Sequence, residues 1–504
     1  MRNIVASAFS RNSPFAQNAK MMGVGFVEFL KLKTGFADAT HPWTNYVVND
    51  VGVIANTLTG TDMGNGWTDH TAVSLDQMEL MQGAFAMWKA TGEPRYYTLF
   101  MQTLTAYRTY FYAGQPVPPF AQIWRANYIV NAREPFTLNG QTVARNQPYD
   151  PLPPGGGTVV TDPALMGNYT FADLSLAELL SQAFSFTAER DFQAMFNSVV
   201  YTAFDFLANM EQGNAGVSLP YVPGAAPGTI GMTPRLFRKD SWSGMCFLAM
   251  QYPSAMATAG RADEMINVIN LYTDSQDAYL SAKAIDGPFY TTYLWDRPGN
   301  PDPGGFPWAN SGLNNDNARA FLNMARLMLT LHERNGTPIP EPERICTRHA
   351  EWLYAYVQAN NELPTFNDPM DPINATAPGI YGPTAALYLT GLVFMARAGY
   401  DTPEMQTLRT FCFNKLSSFY AITRSPVDMS GAFTPDAANR NFTSAHGGMA
   451  LRALGEFISW ETRNDPAVVR PVGLARVMLE NESGFVRVET ADGVVLKEES
   501  QAEE

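Results

Sequence analysis

Residues 67–113 read WTDHTAVSLDQMELMQGAFAMWKATGEPRYYTLFMQTLTAYRTYFYA. The stretch up to Thr91 is built of small and apolar residues on every face, with few charges. A helix of that composition can only be buried. The stretch after Pro94 mixes aromatic residues with Arg95, Gln102 and Arg108, and reads as a second, amphipathic helix. Gly92 stands where a helix ends in a residue of positive φ. Pro94 stands in the first turn of the next helix, where its missing N–H leaves no bond unmade. So short a connection makes the two helices fold back on each other.

The same unit recurs along the chain. Residues 171–189 turn at Arg190 into 191–211. Residues 240–259 turn at Gly260 into 261–283. Residues 315–335 pass through a Pro-rich turn into 341–361, and 381–398 turn at Gly399 into 402–421. A sixth helix of the first type, SAHGGMALRALGEFISWET (444–462), has no partner after it. A helix within residues 42–58, or just before them, is expected to close the ring. First-type helices start near Asp69, Asp173, Asp240, Asp316, Pro383 and Ser444. The spacing exceeds that of an open solenoid. Six buried helices inside six amphipathic ones give an all-α fold: an (α/α)6 toroid of helical hairpins with long inter-hairpin loops and a small C-terminal β-type extension. The expected divisions are an N-terminal arm (1–40), the toroid (41–463), and a C-terminal extension with an acidic tail (464–504). Almost no sheet is expected before residue 464. Beyond it, FVRVE and GVVLKE around Ala491-Asp492-Gly493 read as a β-hairpin.

The composition narrows the function. Of 504 residues, 46% are hydrophobic, enough for a large core, and only 16% are charged. A net charge of −14 with no basic run argues against nucleic acid as partner, because phosphate binding needs a basic footprint. No segment is long and apolar enough to span a membrane, so no membrane insertion is expected. Residues 1–20 are too polar for an export signal, which suggests a cytoplasmic or virion-associated protein. Cys246, Cys346 and Cys412 form no CxxC pair and read as buried hydrophobes. The five histidines are scattered without metal-ligand spacing, and no HExxH, Walker loop or GxSxG elbow occurs. No metal and no cofactor is expected. His332 and His349 lie on helices and read as packing or surface residues.

At these hairpins the sequence resembles the six-hairpin glycosidase superfamily. The KATGEPRYY turn (Lys89 to Tyr97) carries the likeness, with weaker copies in ATAGRADEM and ARAGYDTPEM. The resemblance covers residues 41–463. It implies a carbohydrate-type cleft where the inner-helix N-termini converge, and a reaction class among hydrolysis, elimination and epimerisation, or a catalytically silent relative.

Sugar hydrolysis needs two carboxyl groups, one to protonate the leaving oxygen and one to activate water or attack. Asp69, Asp316, Asp240 and Asp173 offer such a set at the helix starts. Asp69 and Asp316 come first because each lies in a dense polar cluster, GNGWTDH and NSGLNNDNAR. Hairpins one and four should face each other across the ring, bringing this pair in from opposite sides. Each aspartate also suits a helix N-cap. Around them, Trp67, His70, Trp242, Asn315, Tyr381 and His446, with Trp295 and Trp308 from a loop, would bind substrate. A lyase or epimerase would use His70, His446 or Tyr381 as base. Two functions follow. One is a carbohydrate-binding or carbohydrate-processing toroid, glycoside hydrolase-like, acting on a polysaccharide or surface glycan. The other is a non-catalytic subunit of a larger assembly such as a phage tail tip or baseplate. In the latter, the N-terminal arm and C-terminal extension would contact other protein subunits.

Overall fold

The computed structural model describes residues 13–33, 46–48, 54–55, 71–110, 128–130, 136–138, 141–143, 148–150, 158–159, 179–180, 183, 211–212, 218–219, 318–319, 321–322, 324–326, 328–329, 332, 340–364, 381–420, 431–433, 441–442, 444–464, 476–479, 485–490 and 493–498. The complete helices among them are α1 (Pro14–Lys33), α2 (Ser74–Thr91), α3 (Pro94–Tyr110), α4 (Pro340–Asn360), α5 (Tyr381–Arg397), α6 (Pro403–Ser418) and α7 (Ser444–Glu461). Residues 179, 180 and 183, and those described between 318 and 332, are helical and belong to the inner helices of hairpins two and four.

Each hairpin turn follows from local chemistry. Gly92 has φ +66° and Gly399 φ +98°, the left-handed conformation that ends a helix without a Cβ clash. Asn361 does the same for α4 at φ +51°, its N–H donating to Val357 O at 2.8 Å. Thr402 caps α6, its hydroxyl accepting from the Met405 N–H at 3.3 Å, with Pro403 as the first helical residue. The inner and outer helices differ as their compositions require. Every residue of α5 from Pro383 to Ala396 is buried, whereas α6 buries only Met405, Leu408, Arg409, Cys412, Phe413 and Leu416.

The inner helices run parallel. A methyl group on Gly448 of α7 would strike the backbone at Glu79 of α2, and one on Gly455 would strike Ala86. The two contacts advance together along both chains, so α2 and α7 lie side by side in the same direction, backbone against backbone. Gly391 of α5 abuts Phe321 and Leu322, and further along both helices Arg326 lies over the Phe394 ring, so this pair runs in the same direction too. The first inner helix therefore touches the sixth, the sixth packs on the fifth, and the fifth on the fourth.

The ring closes with an element placed earlier than the sequence reading puts it. Within residues 42–58 the described residues form strands, β1 (Tyr46–Val48) and β2 (Ile54–Ala55). The closing helix is α1, from the segment read as a docking arm. It packs on α7 and α3, and Phe15 meets Phe413 of α6 edge-on at 5.4 Å. That is the place of the missing sixth outer helix. Ala16, Ala19, Met22, Phe26, Val27, Phe29 and Leu30 are buried there, Ser13 Oγ donates to Glu461 at 3.1 Å, and Lys20 pairs with Glu93 at 2.8 Å.

The connections also carry more strand than the sequence predicts. Before residue 464 lie β1, β2, β3 (Thr71–Val73), β4 (Tyr128–Val130), β5 (Phe136–Leu138), β6 (Gln141–Val143), β7 (Pro148–Asp150), β8 (Thr158–Val159), β9 (Glu211–Gln212), β10 (Ser218–Leu219) and β11 (Asn441–Phe442). None exceeds three residues, too short for an alternating pattern to show in sequence. β3, β4, β7 and β8 form an antiparallel sheet in that order, so the long loop after hairpin one folds back onto the chain entering α2. β1 pairs with β11, Tyr46 opposite Phe442, tying the start of the chain to the entry of α7. The C-terminal strands β12 (Arg476–Leu479), β13 (Phe485–Thr490) and β14 (Gly493–Glu498) form a meander. The final hairpin, β13 with β14, pairs Thr490 with Gly493 at its closed end.

Candidate functional site

The inner helices are buried along most of their described length, so a charge within them needs a partner inside the ring. Those few charges build the axis. Because the helices are parallel, the charges fall in tiers from the N-terminal to the C-terminal end.

The upper tier joins three inner helices. Glu79 of α2 forms an ion pair with Arg319 of hairpin four, both buried. Arg319 Nη2 also reaches Met449 Sδ of α7 at 3.9 Å. Met449 lies three residues after His446, hence on the same face of the helix. The second carboxylate oxygen of Glu79, Oε2, is buried with no hydrogen-bond partner among the described residues. His446 itself stays partly exposed. Burial and then the Arg319 charge push its pKa down to about 4, so its imidazole is neutral at physiological pH.

Roughly a turn below, Arg452 of α7 donates to Gln82 Oε1 of α2 at 2.6 Å, and its guanidinium lies 5.9 Å from the Phe394 ring of α5. Arg326 of hairpin four covers the same ring at 4.9 Å. The lowest tier centres on Glu456, which accepts from Lys89 at 3.4 Å and from Arg397 at 3.1 Å. Burial alone would raise the Glu456 pKa. Lys89, then Arg397, Arg326 and Arg452, outweigh it and hold the carboxyl at about 2. Lys89 and Arg397 occupy the last turns of α2 and α5, where carbonyl ends favour cations. Gln82, Phe85, Ala86, Lys89, Leu179, Arg326, Arg452 and Glu456 line a small cleft between these tiers. Among the described residues no three His, Cys, Asp or Glu side chains cluster as metal ligands would.

Of the candidate site residues named in sequence, only His446 has a described side chain. Tyr381 is the first residue of α5, its side chain outside the described set. Asp69, Asp173, Asp240, Asp316, Trp67, His70, Trp242, Asn315, Trp295 and Trp308 lie outside the described residues. The start of α2 is corrected: the helix begins at Ser74, with β3 between it and Asp69. Glu79 of hairpin one and Arg319 of hairpin four form an ion pair inside the ring. The sequence reading missed Glu79, Gln82, Lys89, Arg319, Arg326, Arg452 and Glu456. Their signal was present, since a charge on a helix that is apolar all round has nowhere to go but the axis. His349, read as a packing or surface residue, is fully buried, stacked on Phe321 at 4.8 Å and 3.2 Å from the Tyr388 hydroxyl.

No family model matches the sequence, and no curated protein matches it. Solved structures do match in fold. The unsaturated glucuronyl hydrolase of Bacillus sp. GL1 superposes with a TM-score of 0.51 at 14% identity, covering 90% of this chain and 97% of that one. A glycoside hydrolase family 76 mannosidase from Bacteroides thetaiotaomicron gives 0.51 at 10% identity, covering 90% and 100%. The cellobiose 2-epimerase of Spirochaeta thermophila gives 0.51 at 10%, covering 88% and 97%. The fold is the all-α (α/α)6 toroid of six-hairpin glycosidase-like enzymes.

Proposed function

We propose that this protein is a carbohydrate-processing toroid whose site lies at the N-terminal end of the inner helices and takes a polysaccharide or surface glycan. One observation carries the reading. A partly exposed, neutral imidazole, His446, stands at that end on the same helix face as Met449, which contacts a buried carboxylate–guanidinium pair from two other inner helices. A neutral imidazole offers one ring nitrogen as donor and the other as acceptor, which suits contact with sugar hydroxyls. The toroids of like fold support the substrate class: their names are those of a glucuronyl hydrolase, a mannosidase and a sugar epimerase. Asp69 and Asp316 remain the proposed acid and base for a hydrolase, with Asp240 and Asp173 behind them. Trp67, His70, Trp242, Asn315, Tyr381, Trp295 and Trp308 are the proposed sugar contacts.

None of the structures named above is described as a virion component, and the N-terminal segment offered for docking contributes α1 to the ring. Residues 464–504 remain the segment proposed for contact with other subunits.

The test is glycan turnover across a broad panel by wild type, Asp69→Asn, Asp316→Asn and His446→Asn. Removal of a general acid or base is expected to cost at least about a hundredfold with folding intact. Turnover unchanged in all three variants rejects the site. Binding without turnover in the wild type makes the toroid a silent glycan-binding member.

A further inference from the structure

Four inner helices meet around the small cleft between the lower tiers. α2 brings Gln82, Phe85 and Lys89, α7 brings Arg452 and Glu456, hairpin four brings Arg326, and hairpin two brings Leu179. The space is about 10 Å³, room for one water-sized body. Its described wall is rich in donors. Lys89 and the two guanidiniums carry N–H groups and no acceptor, and the Gln82 amide adds its own N–H groups. The acceptors on that wall are already engaged. Gln82 Oε1 accepts from Arg452 at 2.6 Å, Glu456 Oε1 from Lys89 at 3.4 Å, and Glu456 Oε2 from Arg397 at 3.1 Å.

A water in this cleft would bring two hydrogens to acceptors that already serve cations. A monatomic anion brings none and takes hydrogen bonds from every side. Charge favours the anion as well. Glu456 is surrounded by Lys89, Arg397, Arg326 and Arg452, and Lys89 is repelled by Arg326 and by Arg397. An anion placed among these cations offsets their repulsion in a setting of low dielectric. Phe85 and Leu179 complete the wall with apolar surface, the Lys89 ammonium lying 5.7 Å from the Phe85 ring. We propose that the cleft is a halide site that takes chloride, held by N–H groups of Lys89, Arg326, Arg452 and Gln82. It lies further along the axis from His446 and is independent of the function proposed above. Bound there, chloride joins α2 and α7 to hairpin four, so the ring is stabilised as chloride concentration rises.

The line width of chloride in 35Cl NMR, measured with the full-length protein, tests the site. The line should broaden as protein is added, and bromide should narrow it again by competition. Arg452→Gln and Lys89→Met each remove a cation from the wall and should weaken chloride binding at least about tenfold. Wild-type crystals soaked in sodium bromide should show anomalous scattering in the cleft, within hydrogen-bonding reach of Lys89 and of a guanidinium. A wild-type protein that leaves the chloride line narrow overturns the proposal. So does broadening that persists in both folded variants, or bromide that binds elsewhere and leaves the cleft empty. Inorganic phosphate that displaces chloride more readily than bromide does also overturns it, because the cleft then takes a polyatomic anion. Should neither variant fold, the position of bromide in the wild type decides alone.

Discussion

At the scale of single residues, Glu456 has the most demanding position among the described carboxylates. It is buried and bonded to two cations from two other helices. Truncating one member of such a pair leaves the others charged and unpaired, so Glu456→Gln should cost about 3–5 kcal/mol in urea unfolding. Replacing the whole set by apolar residues of equal volume would cost far less. Acid dependence follows with a definite sign. The folded pKa of Glu456, about 2, lies below its usual 4.5, so its contribution is complete above 4.5 and is lost as pH falls toward 2. His446, with a folded pKa of about 4 against 6.5, acts in the same direction over a higher window, its contribution falling away from 6.5 toward 4. Stability measured against pH should therefore begin to decline near 6.5 and steepen below 4.5. His446→Asn should remove the first decline and leave the second.

At the scale of elements, the seam between α2 and α7 is set by glycine. Gly83, Gly448 and Gly455 let the two backbones meet, and a Cβ on any of them would run into main-chain atoms that no rotamer change can move. Gly448→Ala should lower stability by at least about 1–3 kcal/mol, the usual penalty for overpacking, seen as a fall in Tm. Gly399→Ala offers a contrast. Nothing lies within 4 Å of its added methyl, but φ is +98°, so its cost is backbone strain alone, on the order of 1 kcal/mol. The cap of α6 belongs to the same scale: Thr402→Ala removes the acceptor for the Met405 N–H and should cost about 1 kcal/mol.

At the scale of the whole molecule, α1 decides whether the ring is closed. Phe26, Phe29, Leu30, Met22 and Val27 leave water when it docks, which at roughly 2 kcal/mol per side chain is on the order of 10 kcal/mol. A protein lacking residues 1–40 should lose cooperative unfolding and expose α7 to proteolysis. A detachable arm would give the opposite result, a truncated chain with unchanged Tm. The pairing of β1 with β11 acts with α1, since both tie the first residues of the chain to the last inner helix.

The hairpins were legible in the sequence because they are local. Gly92, Pro94 and Gly399 specify turns through their own φ, and an inner helix announces its burial by lacking a polar face. The division into inner and outer helices, and with it the toroid, follows from that pattern alone. The sequence also marked His446 as a candidate, because it stands at an inner-helix start. What it did not determine was partnership. Glu79 is charged and Arg319 is charged, but which of the axial cations meets which carboxylate depends on the helix standing opposite, and that is settled only when the ring closes. The same holds for α1. Its apolar stripe fits any complementary groove, and only the gap left between α3 and α6 makes it the sixth outer helix rather than an arm.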